Sequence, residues 1–237
     1  MNPKTTIALI TTCLILYLAV FLVVSYSREF ERKPILSTKM DEADFSGLYD
    51  LYLSSRPDIA GRPWYGDKDA QVTVIAYLDP TSGSSRSFMQ EMFPLLDEEF
   101  IQSGVVRFYQ KSHVSRQDLL AENDNLKYAN SLSCVARVRK EVYYGFLLDL
   151  FRTDDPGQLD SLLDAHGISE ETFGRCLQKG NFPEVLQDVS EVESFGMVGV
   201  EPRFYVGIHG RGNTVLDGAS YSRLRREILT KKLEIGV

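Results

Sequence analysis

The apolar positions along the chain follow two patterns in turn. Some form continuous runs, and others recur at helical spacing. A continuous apolar run rich in β-branched residues, Val72–Leu78, is typical of a strand buried on both faces. A second run of this kind lies at 105–110, and between the two runs apolar positions recur at helical spacing over 84–102. The order strand, helix, strand predicts a parallel pair joined by a right-handed crossover.

The rest of the body is mostly helical in pattern. Residues 115–197 are predicted to form a series of helices, the longest of them at 128–151. A strand is predicted at 214–219, followed by an amphipathic helix at 221–233. The residues of that last helix expected to face inward are Leu224, Ile228 and Leu233.

The N-terminal region has a different character. Residues 7–24 are almost entirely apolar, and their number is close to the ~20 that a helix needs to cross a bilayer. We therefore predict a single transmembrane anchor at 1–27, followed at 28–60 by a juxtamembrane spacer with a short helix. A signal peptide cleaved after the small residues Ser25 or Ser27 is the alternative.

Composition narrows the class of protein. The 237 residues are 43% hydrophobic and 25% charged, which is ordinary for one globular domain with an anchor. A net charge of −7 argues against nucleic acid as a partner. The three cysteines, Cys13, Cys134 and Cys176, do not have the spacing of a zinc motif, so neither a metal site nor a cofactor is expected.

Candidate chemistry lies at 79–88, where the first strand ends and the first helix begins. Backbone N–H groups and the helix dipole favour negative charge at such a position, for example a thiolate. Hydroxyl groups, not thiols, occupy this junction, whose sequence is Asp79-Pro80-Thr81-Ser82-Gly83-Ser84-Ser85-Arg86-Ser87-Phe88.

This junction and the preceding stretch at 61–75 resemble the DsbA-like family of thioredoxin-fold proteins. The family pattern ends in D-x-x-C-x-x-C-K/R-x-F, and its two cysteines fall on Ser82 and Ser85 of this chain. The resemblance implies an α/β fold, a thioredoxin-like fold with an inserted helical domain. Its parts would be 61–111, a helical insertion at 112–197, and 198–237.

Serine cannot perform the chemistry of the family's cysteines. Disulfide exchange needs a thiolate that attacks sulfur, whereas a serine hydroxyl stays protonated and forms no disulfide. We therefore interpret the junction as a degenerate active site without catalytic residues that is reused for binding. A hydrolytic serine is an alternative, and a helix cap by Ser84 or Ser85 is compatible with binding. The binding residues would be Ser82, Gly83, Ser84, Ser85 and Arg86.

A second landmark of the resemblance is the stretch at 199–207. It is similar to the cis-proline loop and following strand of thioredoxin-like proteins, with Pro202 as the cis-proline. Glu201 before it departs from the family's small or β-branched residue, and Arg203 replaces the usual threonine. The resemblance places the Glu201 carboxylate opposite Ser82. This carboxylate would bind a basic peptide, pair with Arg86, or form an ordinary solvated surface pair.

Cys134 and Cys176 fall on two helices of the implied insertion, at positions that resemble a structural disulfide of several DsbA-like proteins. Two buried free thiols are the alternative. A disulfide favours an oxidising compartment, and with the family it indicates an extracytoplasmic domain. The basic residues Arg28, Arg32 and Lys33 after the apolar run indicate the opposite orientation, with the C-terminal side in the cytoplasm.

Three functions are consistent with the sequence. The first is a membrane-anchored, redox-inactive DsbA-like protein in the cell membrane that binds an extended polypeptide or a membrane-protein partner at the outer surface. The second is the thiol-disulfide oxidoreductase or isomerase that the resemblance implies. The third is a structural subunit of an envelope complex. The missing cysteines leave it open whether the chain is an enzyme.

Overall fold

The computed structural model describes residues 56–153, 158–180, 182–197, 201–208, 211–218 and 220–236. The predicted anchor and most of the spacer, up to residue 55, lie outside this part of the chain, so they stay predictions. Among the described residues, no helix has both the length and the hydropathy that crossing a bilayer requires.

A four-stranded mixed sheet forms the centre of the fold, in the order β2-β1-β3-β4. β1 (Val72–Leu78) is parallel to β2 (Val106–Ser112), and Leu78 pairs with Ser112 at their ends. β3 (Arg203–Ile208) runs antiparallel to β1 and to the edge strand β4 (Arg211–Asp217). The predicted parallel pair is confirmed, and β2 extends two residues beyond its predicted end.

Helices connect and flank these strands. α1 follows β1 as four consecutive segments, Gly83–Ser87, Phe88–Met92, Phe93–Leu96 and Asp97–Ile101. The helices between β2 and β3 are α2 (Arg116–Ala121), α3 (Asp124–Val138), α4 (Tyr143–Arg152), α5 (Leu159–Ala165), α6 (Glu170–Gln178) and α7 (Pro183–Ser194). The chain closes with α8 (Tyr221–Glu234).

α1 changes its hydrogen-bonding pattern because a proline lies inside it. Pro94 has no N–H to donate, and the turn before it is widened so that the Phe93 N–H donates to the Phe88 carbonyl, five residues back. The helix still buries Phe88, Phe93 and Leu96 against the sheet. Gly104, with a φ of +73°, allows the chain to turn into β2.

The two faces of the sheet bury different kinds of side chain, because successive residues of a strand point to opposite faces. Val72, Val74 and Ala76 of β1 join the large apolar core with α1 and the inserted helices. Ile75 and Tyr77 point the other way, into a smaller cluster with residues of α7 and the segment after it. The candidate site lies where the parallel strands β1 and β2 end.

A disulfide joins α3 to α6, as the resemblance implies. The sulfur atoms of Cys134 and Cys176 are 2.08 Å apart, the two Cα atoms are 5.8 Å apart, and both residues are buried. The two cysteines are 42 residues apart in sequence. Closing a loop of that length stabilises the fold by about 4 kcal/mol in the chain-entropy model.

Candidate functional site

The N-terminus of α1 lies directly after β1. Ser82 is the N-cap residue, with φ −85° and ψ 128°, and its side chain makes no capping hydrogen bond. Its backbone carbonyl accepts from the Arg86 N–H at 3.1 Å. The prediction that Ser84 or Ser85 caps the helix is therefore wrong, since both residues already lie inside the first turn.

The two positions that correspond to family cysteines have different surroundings. Ser85 is fully buried, and its Oγ accepts a hydrogen bond from the Asp79 N–H at 3.1 Å. Ser82 is partly exposed, and its Oγ lies 2.8 Å from the Oγ of Ser84. A second hydroxyl is not a general base, so this contact does not activate Ser82 as a nucleophile.

Asp79 and Arg86 hold the backbone between β1 and α1. The Oδ1 of Asp79 accepts from the backbone N–H and the hydroxyl of Thr81, both at 2.7 Å. The Nε of Arg86 donates to the Pro80 carbonyl at 2.8 Å. Burial raises the pKa of Asp79 above its usual value, and the negative charges of Glu201 and Asp118 raise it further, against the Thr81 hydrogen bonds.

The proline predicted to be cis lies directly before β3, whose start pairs with the end of β1. The peptide bond between Glu201 and Pro202 is cis, and the Pro202 carbonyl accepts from the Gly218 N–H at 3.0 Å. Arg203, at the position where the family has threonine, is buried and forms an ion pair with Asp217 of β4. Backbone and side-chain bonds therefore both connect this turn to the edge strand.

Glu201 has a partner that the sequence did not reveal. Its Oε1 lies 2.8 Å from Nδ1 of His113, and the Nε2 of the same imidazole lies 3.0 Å from the Met197 carbonyl oxygen. The His113 N–H donates to the Leu78 carbonyl at 2.9 Å. β1 and β2 are parallel and end at the same edge of the sheet. The predicted parallel pairing was the one feature of the sequence that put His113 at the same edge as the serines.

The surroundings of His113 change its acidity. Burial by itself lowers the pKa of a histidine, but the Glu201 carboxylate and the hydrogen bond to Met197 outweigh it and raise the pKa above 6.5. The negative charge of Asp79 acts in the same direction. His113 therefore belongs to the candidate site, because its side chain contacts the residue before the cis-proline.

The structure brings most of the predicted binding residues to one edge of the sheet. The residues at 82–86 begin α1, Glu201 and Pro202 precede β3, and His113 follows β2. The placement of Glu201 directly opposite Ser82 stays a prediction. Among the described residues, no three His, Cys, Asp or Glu side chains gather as a metal site would require.

Comparison with known proteins assigns the family. Residues 59–213, well over half of the chain, match the thioredoxin family. The chain is 38% identical over 56 residues to disulfide bond formation protein D of Bacillus subtilis (strain 168). That match spans 24% of this chain and 25% of the relative's length.

Solved structures share the fold across the described body. Oxidised BdbD from Bacillus subtilis matches with a TM-score of 0.63 at 24% identity, covering 76% of this chain and 97% of that one. Chlamydia trachomatis DsbA gives 0.60 at 16% identity, over 78% and 98%. The thiol-disulfide exchange protein alpha-DsbA2 from Wolbachia pipientis gives 0.58 at 17%, over 77% and 91%. The chain therefore belongs to the thioredoxin family, and its fold is similar to that of these DsbA-like structures.

Proposed function

We propose that this chain is a DsbA-like protein that binds an extended polypeptide at the α1 N-terminus and the cis-proline turn, without thiol chemistry at positions 82 and 85. One observation carries the proposal. The Glu201–Pro202 turn before β3 and the helix N-terminus of the family scaffold are present, while hydroxyl groups occupy both positions of the family's sulfur atoms. A scaffold of this kind retains backbone groups for pairing with an extended segment after the reactive groups are gone.

The location of the domain is part of the proposal. We propose that 7–24 anchors the chain in a membrane and that the body is extracytoplasmic, where a polypeptide or a membrane-protein partner would reach it. The apolar run and the Cys134–Cys176 disulfide support this location. A reporter enzyme that is active only in the cytoplasm, fused to the C-terminus, tests the orientation, and its activity would contradict the proposal.

A second candidate is a thiol-disulfide oxidoreductase. The names of the relatives above, a disulfide bond formation protein and a thiol-disulfide exchange protein, favour this activity at the level of the family. The disulfide between Cys134 and Cys176 is a sulfur pair that could carry it. Both cysteines are buried, so attack by an outside thiolate would first require the packing between α3 and α6 to open.

Reduction of insulin by dithiothreitol separates the two candidates. The full chain in detergent is compared with a Ser82→Cys/Ser85→Cys variant and with a Cys134→Ala/Cys176→Ala variant. We expect catalysis only from the Ser82→Cys/Ser85→Cys variant, because it restores a thiol at the helix N-terminus. Catalysis by the native chain that the Cys134→Ala/Cys176→Ala change abolishes would establish the second candidate instead.

Binding is tested separately with a defined probe, the insulin B chain with its thiols alkylated and a fluorophore attached. We expect saturable binding by the full chain, weakened by Pro202→Ala because that substitution removes the ring that fixes the backbone beside the proposed contact. A folded Pro202→Ala variant that binds as well as the native chain, or a native chain that does not bind, would contradict the proposed site.

A further inference from the structure

His113 connects three separate parts of the chain at the site. Its backbone N–H bonds the end of β1, its Nε2 bonds the Met197 carbonyl after α7, and its Nδ1 bonds Glu201 before the cis-proline. Its own carbonyl accepts from the Nδ2 of Asn125 at 2.8 Å. The side chain is 5% exposed, so water does not compete freely for these contacts.

Counting hydrogens shows that the pair must hold an extra proton. A carbonyl oxygen only accepts, so the Nε2 that bonds Met197 must carry a hydrogen. Neutral imidazole has one N–H, which leaves a lone pair on Nδ1 facing the Oε1 of Glu201 at 2.8 Å. Two acceptors do not bond each other. One proton shared between His113 and Glu201 therefore makes this contact favourable.

The surrounding charges hold that proton. The charged groups facing His113 are carboxylates on different elements: Glu201 before β3 and Asp79 after β1, with Asp118 of α2 acting on Asp79. The neighbouring cations are engaged elsewhere. Lys111 pairs with Asp188 and Glu191, and Arg116 pairs with Glu193.

We propose that the proton shared by His113 and Glu201 is a pH-sensitive switch on the cis-proline turn. With the proton bound, His113 holds Glu201 against the ends of β2 and α7. Without it, two lone pairs face each other and the Glu201 carboxylate, already 22% exposed, turns toward water. The proposal rests on the proposed function, because the polypeptide would bind a turn that is ordered only in the protonated state.

The direction of the effect follows from this geometry. At acidic and neutral pH the turn is held in place, so binding loses less conformational entropy. As pH rises through the pKa of His113, binding of the polypeptide weakens. We expect a loss of affinity of roughly fivefold or more, the lower end of ordinary coupling between two sites.

Glu201→Gln is the informative variant. The amide NH2 of glutamine donates to the Nδ1 lone pair of neutral imidazole, so the variant keeps the contact without the extra proton. It should hold the turn at every pH between 5.5 and 9. A matched control is Asp149→Asn, which alters the same kind of contact in the His166–Asp149 pair, 3.0 Å long and on the helical insertion.

The experiment has two readouts on the full chain in detergent. The first is the NMR titration of the His113 imidazole together with the backbone amide signal of Glu201. The second is the affinity for the alkylated insulin B chain from pH 5.5 to 9. The native chain and the variants are compared at the same pH, so any effect of the probe's own titrating groups on the affinity cancels.

The native chain should show His113 titrating above 6.5, with the Glu201 amide and the affinity changing at the same pH. Glu201→Gln should show a lower His113 pKa and no loss of affinity as pH rises, and Asp149→Asn should match the native chain.

A His113 titration at the ordinary pKa of histidine, or a Glu201 amide signal that does not move with pH, overturns the switch. A titration without change in affinity also overturns it and leaves the proposed function intact. Absence of binding at every pH overturns the proposed function, and the two NMR signals then decide the switch.

Discussion

Lys111 and His113 lie two residues apart at the end of β2, yet their surroundings differ. Lys111 is 0% exposed and pairs with the carboxylates of Asp188 and Glu191. His113 contacts one carboxylate, and the Oε2 of Glu201 has no hydrogen-bond partner among the described residues. One strand end therefore carries a complete polar network beside an incomplete one. A buried charge stabilises a fold when its network is satisfied, and an unsatisfied one at a site responds to changes such as pH.

The Lys111 network is complete because each carboxylate has several donors. Asp188 accepts from the Ser112 N–H at 2.9 Å and also pairs with Arg62. Glu191 accepts from the Tyr77 hydroxyl at 2.6 Å. Burial raises the pKa of Asp188, while the positive charges of Lys111 and Arg62 act against that rise. The network fixes α7 to the sheet.

Removing the central cation should give the largest effect. Lys111→Met keeps the apolar stem and leaves Asp188 and Glu191 without their shared partner. We expect a loss of roughly 3–5 kcal/mol of the free energy of unfolding at pH 7, the cost of an uncompensated buried charge. Urea denaturation followed by circular dichroism measures it.

Lys127→Met is the control for this prediction. Lys127 pairs with Asp124 on the surface of α3, with side chains 71% and 61% exposed. Its removal should leave the urea midpoint unchanged. Equal midpoints for the two variants would show that the Lys111 network is no more important than a surface pair.

The two positions that correspond to the family's cysteines, Ser82 and Ser85, allow a smaller test of the contrast between buried and exposed polar groups. Ser85→Ala removes the acceptor of the buried Asp79 N–H, whereas Ser82→Ala removes a hydroxyl whose contact is exposed. We expect Ser85→Ala to destabilise the fold by about 1–3 kcal/mol, the cost of an unsatisfied buried donor, and Ser82→Ala to have little effect. Thermal unfolding of the two variants gives the comparison, and the reverse order would contradict the assigned environments.

The sequence predicted the elements whose pattern is local. β1 was predicted at its observed residues, because a continuous β-branched run is buried on both faces. The predicted helix at 128–151 is instead two helices separated at Arg139, whose Nη1 donates to the His166 and Gly167 carbonyls. Neither proline nor glycine marks that break. The hydrogen bonds of Arg139 at the break reach residues 27 and 28 positions away, which the helical pattern could not show.

The last helix illustrates a related error. Leu224 and Ile228 face inward as predicted, but Leu233 is 79% exposed, so that part of the prediction is wrong. The buried position is Lys231, three residues after Ile228 and therefore on the same face. Its ammonium group pairs with Glu227 and Glu234, which lets the aliphatic stem pack inward. A charge at an inward position hides the helical pattern from sequence reasoning.

The site was predictable only where a motif marked it. The positions at 82–86 and Pro202 follow from their place in the family pattern. The His113–Glu201 contact joins residues far apart in sequence, and a lone histidine after a strand carries no signal of its partner. Lys111 was missed for a similar reason, since polar residues at the end of β2 indicated the end of the strand rather than a buried network.

The smallest predicted effect concerns how stability depends on pH, and it sharpens the contrast between Lys111 and His113. The folded-state pKa of His113 is raised above 6.5, so its contribution to stability is present below that value and is lost as pH rises through the folded pKa. In Glu201→Gln the carboxylate is absent and burial lowers the pKa instead, so stability should rise with pH below 6.5 and stay constant above it. Urea midpoints measured between pH 5 and 9 should therefore fall above pH 6.5 for the native chain and rise below pH 6.5 for the variant. Parallel curves for the native chain and the variant would mean that Glu201 does not set the protonation of His113.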